Sequence, residues 1–355
     1  MIKLNNFNRI SFFFISMFFV LILLFFIAVT FGPVNISFYD TFIIICQKFG
    51  FYQHELIPDA SKIVLLNIRL PRVILAILVG LGLGTSGAIL QGLFRNPLVD
   101  PGFIGVSSGA AVGAMFAILF LQFFQNFFWS FLISFILPIL AIIGSFLTTI
   151  LVYRMSKVSG KTNIMTMLLS GIAVNAISGS IIGLFVSISS DIQLRSFTFW
   201  TLGGLDNADW LVVGLTALFI IIPFMIIYKM KYELDIFMLG DAESHHLGLN
   251  VEFLKKKIIL LSSVMVGISV SFCGMIGFVG LVTPHLVRLF IGPNHKLLIP
   301  GSALLGAVIL SLSDLLAKSI IAPAQLPLGV ITSAIGAPFF IWLILNQKRR
   351  FSYGE

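Results

Sequence analysis

The sequence predicts an all-α fold: a polytopic membrane bundle of about ten transmembrane helices with both termini in the cytoplasm. Composition, the spacing of the apolar runs and the placement of the positive charges support this reading. Of 355 residues, 58% are apolar and 10% charged, whereas a soluble domain carries roughly a quarter charged residues because it must cover itself with polar surface. A bilayer removes that requirement, and at about 20 apolar residues per crossing residues 1–355 make a single transmembrane domain.

Apolar runs suited to spanning lie at 10–31, 70–93, 102–124, 131–153, 163–188, 210–228, 257–274, 276–291, 297–317 and 327–345. The first follows Lys3 and Arg9 and resembles a signal peptide. It is longer than an h-region of about 7–15 residues and lacks a small-residue cleavage site, so it reads as a retained helix. The pair 257–274 and 276–291 is interrupted by Gly274, Gly277 and Gly280.

Charge sets the orientation. With the N-terminus inside, all but six of the 22 basic residues are cytoplasmic; the six outside are Lys48, Lys62, Arg69, Arg72, Arg195 and Lys318. The opposite orientation would reverse that bias. The net charge of +8 therefore reports topology, and no basic face points to nucleic acid.

Two polar segments remain. The external one, 32–69, contains an amphipathic stretch from Phe38 to Phe49. The cytoplasmic one, 229–257, holds Gly240 and Gly248 bracketing a short helix, with Asp241 and Glu243 at the positive end of its dipole. A weak internal repeat pairs Gly87-Ala-Ile and Pro97 with Gly274-Met-Ile and Pro284, as an inverted repeat or as chance likeness between Gly-rich helices.

Little in the chain points to covalent chemistry. Cys46 and Cys273 are far apart and suggest neither a disulfide framework nor a metal site. His285 has no second histidine at metal spacing, and the adjacent His245 and His246 point to different faces. Gly160-Lys161-Thr162 echoes the end of a phosphate loop, but that pattern needs a glycine where Met155 stands. Asp314 is the one acidic residue clearly inside a spanning run, and Lys318, four residues on, can pair with it. A proton relay is poorly served by that set. Arg69-Leu-Pro-Arg72 opens a helix on the outside; its arginines either seek acidic partners or snorkel to the interface. Gly171, Asn175 and Gly179 recur every four residues on one helix face, which could line a path or pack on a neighbour.

Several long segments, in order, resemble the permeases of type II ABC importers for iron-siderophores, haem and vitamin B12, the FecCD-type family. They are RLPRVILAILVGLGLGTSGAILQGLFRNPLVDPGFIGVSSGAAVGA from Arg69, LLSGIAVNAISG at 168–179, LGDAESHHLGL from Leu239, GMIGFVGLVTPHLVRLFIGPNHKLLIPGSALLGA from Gly274, SDLLAK and LPLGVITSAIGAPFFIWLIL. The resemblance covers nearly the whole chain beyond residue 65. It implies a non-enzymatic subunit of the bacterial inner membrane, working as a pair with a second copy of itself and surrounded by membrane lipid. Two cytoplasmic ATPase subunits would bind the ATP and Mg, leaving this chain without a cofactor, and a periplasmic substrate-binding protein would deliver the chelate. It assigns docking of that protein to Arg69, Arg72 and Lys318, the last a lysine where arginine is expected, so a point charge replaces a fork. It assigns ATPase coupling to Leu239 to Leu249, with Gly240, Asp241, Glu243, Leu247 and Gly248 foremost. The segment Ser189 to Asp209 resembles the external gating region. The alternative function is a secondary carrier driven by an ion gradient.

Overall fold

The computed structural model describes residues 2–32, 34, 36–48, 50, 57–121, 123–124, 130–322 and 324–352. Phe49, which closes the expected amphipathic stretch, residues 51–56 of the external segment, and Gln122 in the run 102–124 lie outside the described residues. The architecture is helical, with one two-residue hairpin. In chain order the helices are α1 Ile2–Thr30, α2 Phe38–Lys48, α3 Asp59–Leu93, α4 Val106–Leu119, α5 Ser130–Met155, α6 Ile164–Ser187 and α7 Asp191–Leu202. They continue with α8 Trp210–Lys229, α9 Lys231–Phe237, α10 Asp241–His246, α11 Val251–Cys273, α12 Val279–Ile291, α13 His295–Ser319 and α14 Leu328–Ser352.

Seven of these, α1, α3, α5, α6, α8, α11 and α13, contain stretches long and apolar enough to cross a membrane. Three shorter apolar helices, Val106–Leu119, Val279–Ile291 and Leu328–Trp342, occupy the other expected positions. The run 102–124 yields a helix of only 14 residues, because Pro101–Ile104 form a 3-10 turn and Gly105, at φ 81°, turns the chain left-handed before α4 begins.

The chain is built around α3. Its 18-residue apolar window is 83% buried, against 22% for the corresponding window of α6, so α3 is the central pillar and α6 presents most of its surface outward. Small residues on α3 allow direct backbone contact. A Cβ on Gly80 would lie 2.3 Å from the Gly306 carbonyl oxygen, on Gly84 2.2 Å from that of Ser302, and on Gly87 1.8 Å from that of Gly280. In lipid, where apolar side chains gain little by leaving one solvent for a like one, close packing of this kind supplies the association.

Two expectations change. Arg69 and Arg72 do not open the helix; α3 starts at Asp59, and Pro71 sits in its interior. A proline there lacks its N–H and crowds the preceding turn, and the π-helical turns at Val64–Arg69 widen the helix where that crowding falls. The proposed internal repeat has no local structural echo: Gly87 lies inside α3 and Pro97 in the turn after it, whereas Gly274 caps the end of α11 and Pro284 lies inside α12.

The close contact of α3 generates a direct test. Gly87→Ala should lower the thermal midpoint of the detergent-solubilised protein, with a cost of ~1–3 kcal/mol typical of overpacking. Gly183→Ala, where an added Cβ meets nothing within 4 Å, should be neutral or slightly stabilising. Equal midpoints for the two variants would contradict the central role of the contact.

Candidate functional sites at the two ends of the bundle

Arg72 lies in the outer part of α3, and Arg95 in the turn just past its last residue. Around Arg72 a charge cluster forms with α13. The Asp314 carboxylate, buried within the bundle, accepts from Arg72 Nε at 2.9 Å and forms an ion pair with Lys318 Nζ at 2.5 Å. The expected Asp314–Lys318 pair is therefore present, with Arg72 as a further partner. Arg72 Nη1 donates to Asp206 Oδ1 at 2.9 Å. Asp206 lies in the loop after α7, and its side chain is 69% exposed. The loop is held from below by the Gly204 N–H on the Cys273 carbonyl and by the Leu328 N–H on the Gly203 carbonyl, each at 2.9 Å.

Arg69 is placed differently from its sequence expectation. Its guanidinium is buried and donates to the carbonyl oxygens of Val29, Thr30 and Val34, closing the C-terminal end of α1, where carbonyls lack helical partners. Gly32 leaves room for it: a Cβ there would lie 2.7 Å from Arg69 Nη2. Arg69 thus packs as an internal strut between α1 and α3, and Arg72 and Lys318 stay at the charged cluster.

At the other end the short helix between Gly240 and Gly248 forms as expected, from Asp241 to His246. Gly240 at φ 118° and Gly248 at φ 83° supply backbone geometry that other residues adopt at a cost. Ser244 is buried and donates to the carbonyl oxygens of Ile236 at 2.9 Å and Gly240 at 2.5 Å, tying α10 back onto α9. Glu243 is exposed, and so are Leu239 and Leu247, at 62% and 61%.

Asp241 points inward. Its two oxygens accept from Arg95 Nη2 and from Lys255 Nζ, each at 2.6 Å. Arg95 also holds the Phe237 carbonyl through Nε at 3.2 Å and Nη2 at 2.8 Å, and its guanidinium lies over the Phe237 ring at 4.3 Å. It does so from a left-handed φ of 47°, a strained position of the kind that collects at functional places. Lys255, on α11 and buried, further donates to the Thr162 carbonyl at 2.9 Å. Thr162 belongs to the hairpin Lys157–Val158/Lys161–Thr162, so Gly160-Lys161-Thr162 makes a β-turn and a support for α11. Partial burial raises the pKa of Asp241, but the hydrogen bonds and charges of Lys255 and Arg95 outweigh it and hold the carboxyl below its ordinary value. On the far side of α9, Asp235 accepts from the His295 backbone N–H at 3.0 Å and meets His295 Nδ1 at 2.6 Å.

The three residues spaced by four on α6 separate into distinct settings. Gly171 is buried with its Cα against the Phe103 carbonyl, a Cβ there meeting it at 1.8 Å. Asn175 Oδ1 accepts from Ser108 Oγ at 2.7 Å. Gly179 is exposed and lines, with Asp100, Ser107, Ser108, Asn175 and Met275, an open groove of about 440 Å³. That face packs against a neighbour at one end and borders an open groove at the other. Among the described residues no group of His, Cys, Asp and Glu is arranged for a metal ion, and both cysteines are free.

Sequence reasoning missed Asp206, Arg95, Lys255 and Ser244. Arg95 stands in the polar turn Arg95-Asn-Pro between two apolar runs, while Lys255 sits in a run of three lysines with nothing to set it apart. Asp206 joins Arg72 across a separation of 134 residues, which no local pattern encodes.

An apolar helical bundle with a charged cluster in the outer part of its central helix and a clasped surface helix beyond the other end defines a polytopic membrane protein. Residues 20–346 match the model of the FecCD transport family. The hemin transport system permease protein HmuU of Yersinia pestis is 42% identical over 295 residues, 83% of this chain and 86% of that protein. The cobalamin import system permease protein BtuC of Halobacterium salinarum is 36% identical over 83% of this chain and 76% of its own length, and the vitamin B12 import system permease protein BtuC of Salmonella newport 37% over 80% and 84%. A solved structure of a metal-chelate type ABC transporter in an inward-facing conformation superposes with a TM-score of 0.81 at 30% identity, covering 95% of this chain and 99% of the other. The chain belongs to the FecCD transport family. It is a permease subunit of the ABC-importer class and a multi-pass protein of the bacterial cytoplasmic membrane.

The clasp at Asp241 predicts a pH response. Its carboxyl has a lowered folded value, so its contribution is complete above the unfolded value of about 3.9 and is lost as pH falls through the lower folded one. Hydrogen exchange of the α10 amides should therefore accelerate on acidification below about pH 4. In Asp241→Asn it should be fast already at neutral pH and show no such step. Slow neutral exchange in the variant would show that the clasp does not hold the helix.

Proposed function

We propose that two copies of this chain form the membrane path of an importer that moves an intact metal chelate inward by alternating access. A periplasmic binding protein delivers the chelate outside, and two ATPase subunits supply the energy inside. The observation that carries this reading is the clasped helix α10. The exposed Leu239 and Leu247 that flank it offer apolar contacts to a cytoplasmic partner, while Asp241 ties it to the turn at the end of α3 through Arg95 and to α11 through Lys255. A push on this helix is delivered to two bundle helices at once. In this reading Leu247 is a contact residue, Asp241 an internal tether, and Gly240 and Gly248 set the angle of the helix.

Outside, Arg72 and Lys318 are the docking cations for acidic side chains of the binding protein, and Arg69 steadies the outer part of α3 against α1. The path runs along the exposed face of α6, where Gly179 and Asn175 border the open groove. The little-buried α6 meets the second copy across that path. Haem is the first cargo to test, since the haem permease relative has 42% identity where the B12 permeases have 36% and 37%; ferric siderophores and cobalamin follow.

The deciding experiment is uptake into proteoliposomes that hold this chain with its ATPase and binding protein, using labelled haem, ferric siderophore and cobalamin. Accumulation of one ligand that requires ATP is the expected result. Accumulation driven by an ion gradient without ATP would replace this reading with that of a secondary carrier. In the same system Gly248→Pro should cut uptake at least ~10-fold while ATP hydrolysis persists, because proline requires φ near −65° where the chain has +83°. Unimpaired uptake would remove α10 from the transmission.

A further inference from the structure

Asp314 cannot balance the external cluster alone. It is one carboxylate shared by two cations, Arg72 and Lys318, and the pair of cations exceeds it by one charge. Asp206 makes up the difference: its oxygen sits 2.9 Å from Arg72 Nη1. The two carboxylates differ in setting. The Asp314 side chain is 2% exposed and that of Asp206 69%, so the inner pair belongs to the fold and the outer one faces solvent, where ion pairs are weak and exchange readily.

We propose that Asp206 is a resident occupant of the docking position: it neutralises Arg72 while the site is empty and is displaced by an acidic side chain of the arriving binding protein. This inference rests on the docking role given above to Arg72 and Lys318. Arg72 is well placed for the exchange, since its fork is split. Nε stays on Asp314, which preserves the aim of the guanidinium while Nη1 changes partner. Space for the displaced side chain exists, because Asp206 lines two neighbouring cavities of about 640 and 430 Å³. The other carboxylate of the same loop cannot take its place. Asp209 is committed to the start of α8, accepting from the Val212 N–H at 2.7 Å.

The exchange also connects docking to the segment between α7 and α8. With Asp206 released, the loop keeps its backbone ties to Cys273 and Leu328 and loses its side-chain tie to α3. Arrival of the binding protein thus loosens the outer end of α7 from the central helix.

The test uses the complete permease–ATPase complex in nanodiscs at low ionic strength, titrated with the binding protein that supports uptake in the assay above. Asp206→Asn should tighten docking by about two- to five-fold, the range a single exposed ion pair commands, and Asp206→Glu should remain near the parent value. Asp191→Asn removes an equal charge from α7 without touching Arg72 and should leave the affinity unchanged. Arg72→Gln separates the two ideas. If it weakens docking while Asp206→Asn leaves docking unchanged or weaker, the docking role stands and the resident-occupant proposal falls. Equal tightening by Asp206→Asn and Asp191→Asn reduces the effect to net charge and also overturns the proposal. If Arg72→Gln has no effect, the docking role itself fails, and this inference with it. Thermal midpoints of each variant confirm that the fold is kept.

Discussion

The approach of α3 to its neighbours at backbone distance is the constraint on which the rest of the structure depends. Gly80, Gly84 and Gly87 follow one another at helical spacing, and each leaves the space in which a carbonyl of α12 or α13 sits. A membrane helix gains little from hiding apolar side chains, so contact density between backbones does the work of association. The same helix carries Arg72 in its outer part and leads into Arg95 just past Leu93. Arg72 and Arg95 are separated by 23 residues, or roughly 35 Å at 1.5 Å per residue, and each reaches a carboxylate on a different segment. One packed rod therefore carries the external cluster and the cytoplasmic clasp.

Both ends use the same arrangement, a single carboxylate shared by two cations, but in different surroundings. Asp314 is enclosed, and removing the carboxylate would leave two cations, each 11% exposed, without their common partner, which is the costly way to break an ion pair. Asp241 is 47% and Arg95 31% exposed, so water can replace that contact at small cost, while the buried Lys255 keeps its hold. The first suits a permanent joint between α3 and α13. The second suits a joint that bears a load and can yield, as a surface helix pressed by a moving partner must.

Much of this was legible in the chain. The apolar runs gave the bundle, since hydrocarbon leaves helices as the economical way to satisfy backbone groups, and the glycines at 240 and 248 gave the short helix between them. Asp314 and Lys318 were legible because a pair four residues apart on one helix is a local matter. Arg69 was misread because sequence shows a charge beside an interface and does not show the open carbonyls at the end of α1 into which it folds. The start of α3 was misread for a related reason: Pro71 marks a helix beginning in most contexts, and only the π-helical turns before it let the helix run through. Asp206, Arg95 and Lys255 acquire their roles from partners up to 146 residues away, and long-range pairing of that kind leaves no period in a single sequence.

The position of Asp314 also bears on where the driving energy enters. In a carrier that runs on an ion gradient, a carboxylate within the bundle must be free to take up and release its ion as the path alternates. Here one oxygen of Asp314 is held by Arg72 and the other by Lys318, and both cations lie on the helices whose packing defines the bundle. An ion arriving at Asp314 would compete with Lys318, one turn away on the same helix, and with Arg72, whose hold on Asp314 joins α3 to α13. A carboxylate bound in this manner holds helices together. Under the proposed function, the surface helix α10, flanked by exposed leucines and held by two tethers, is where outside work enters the bundle.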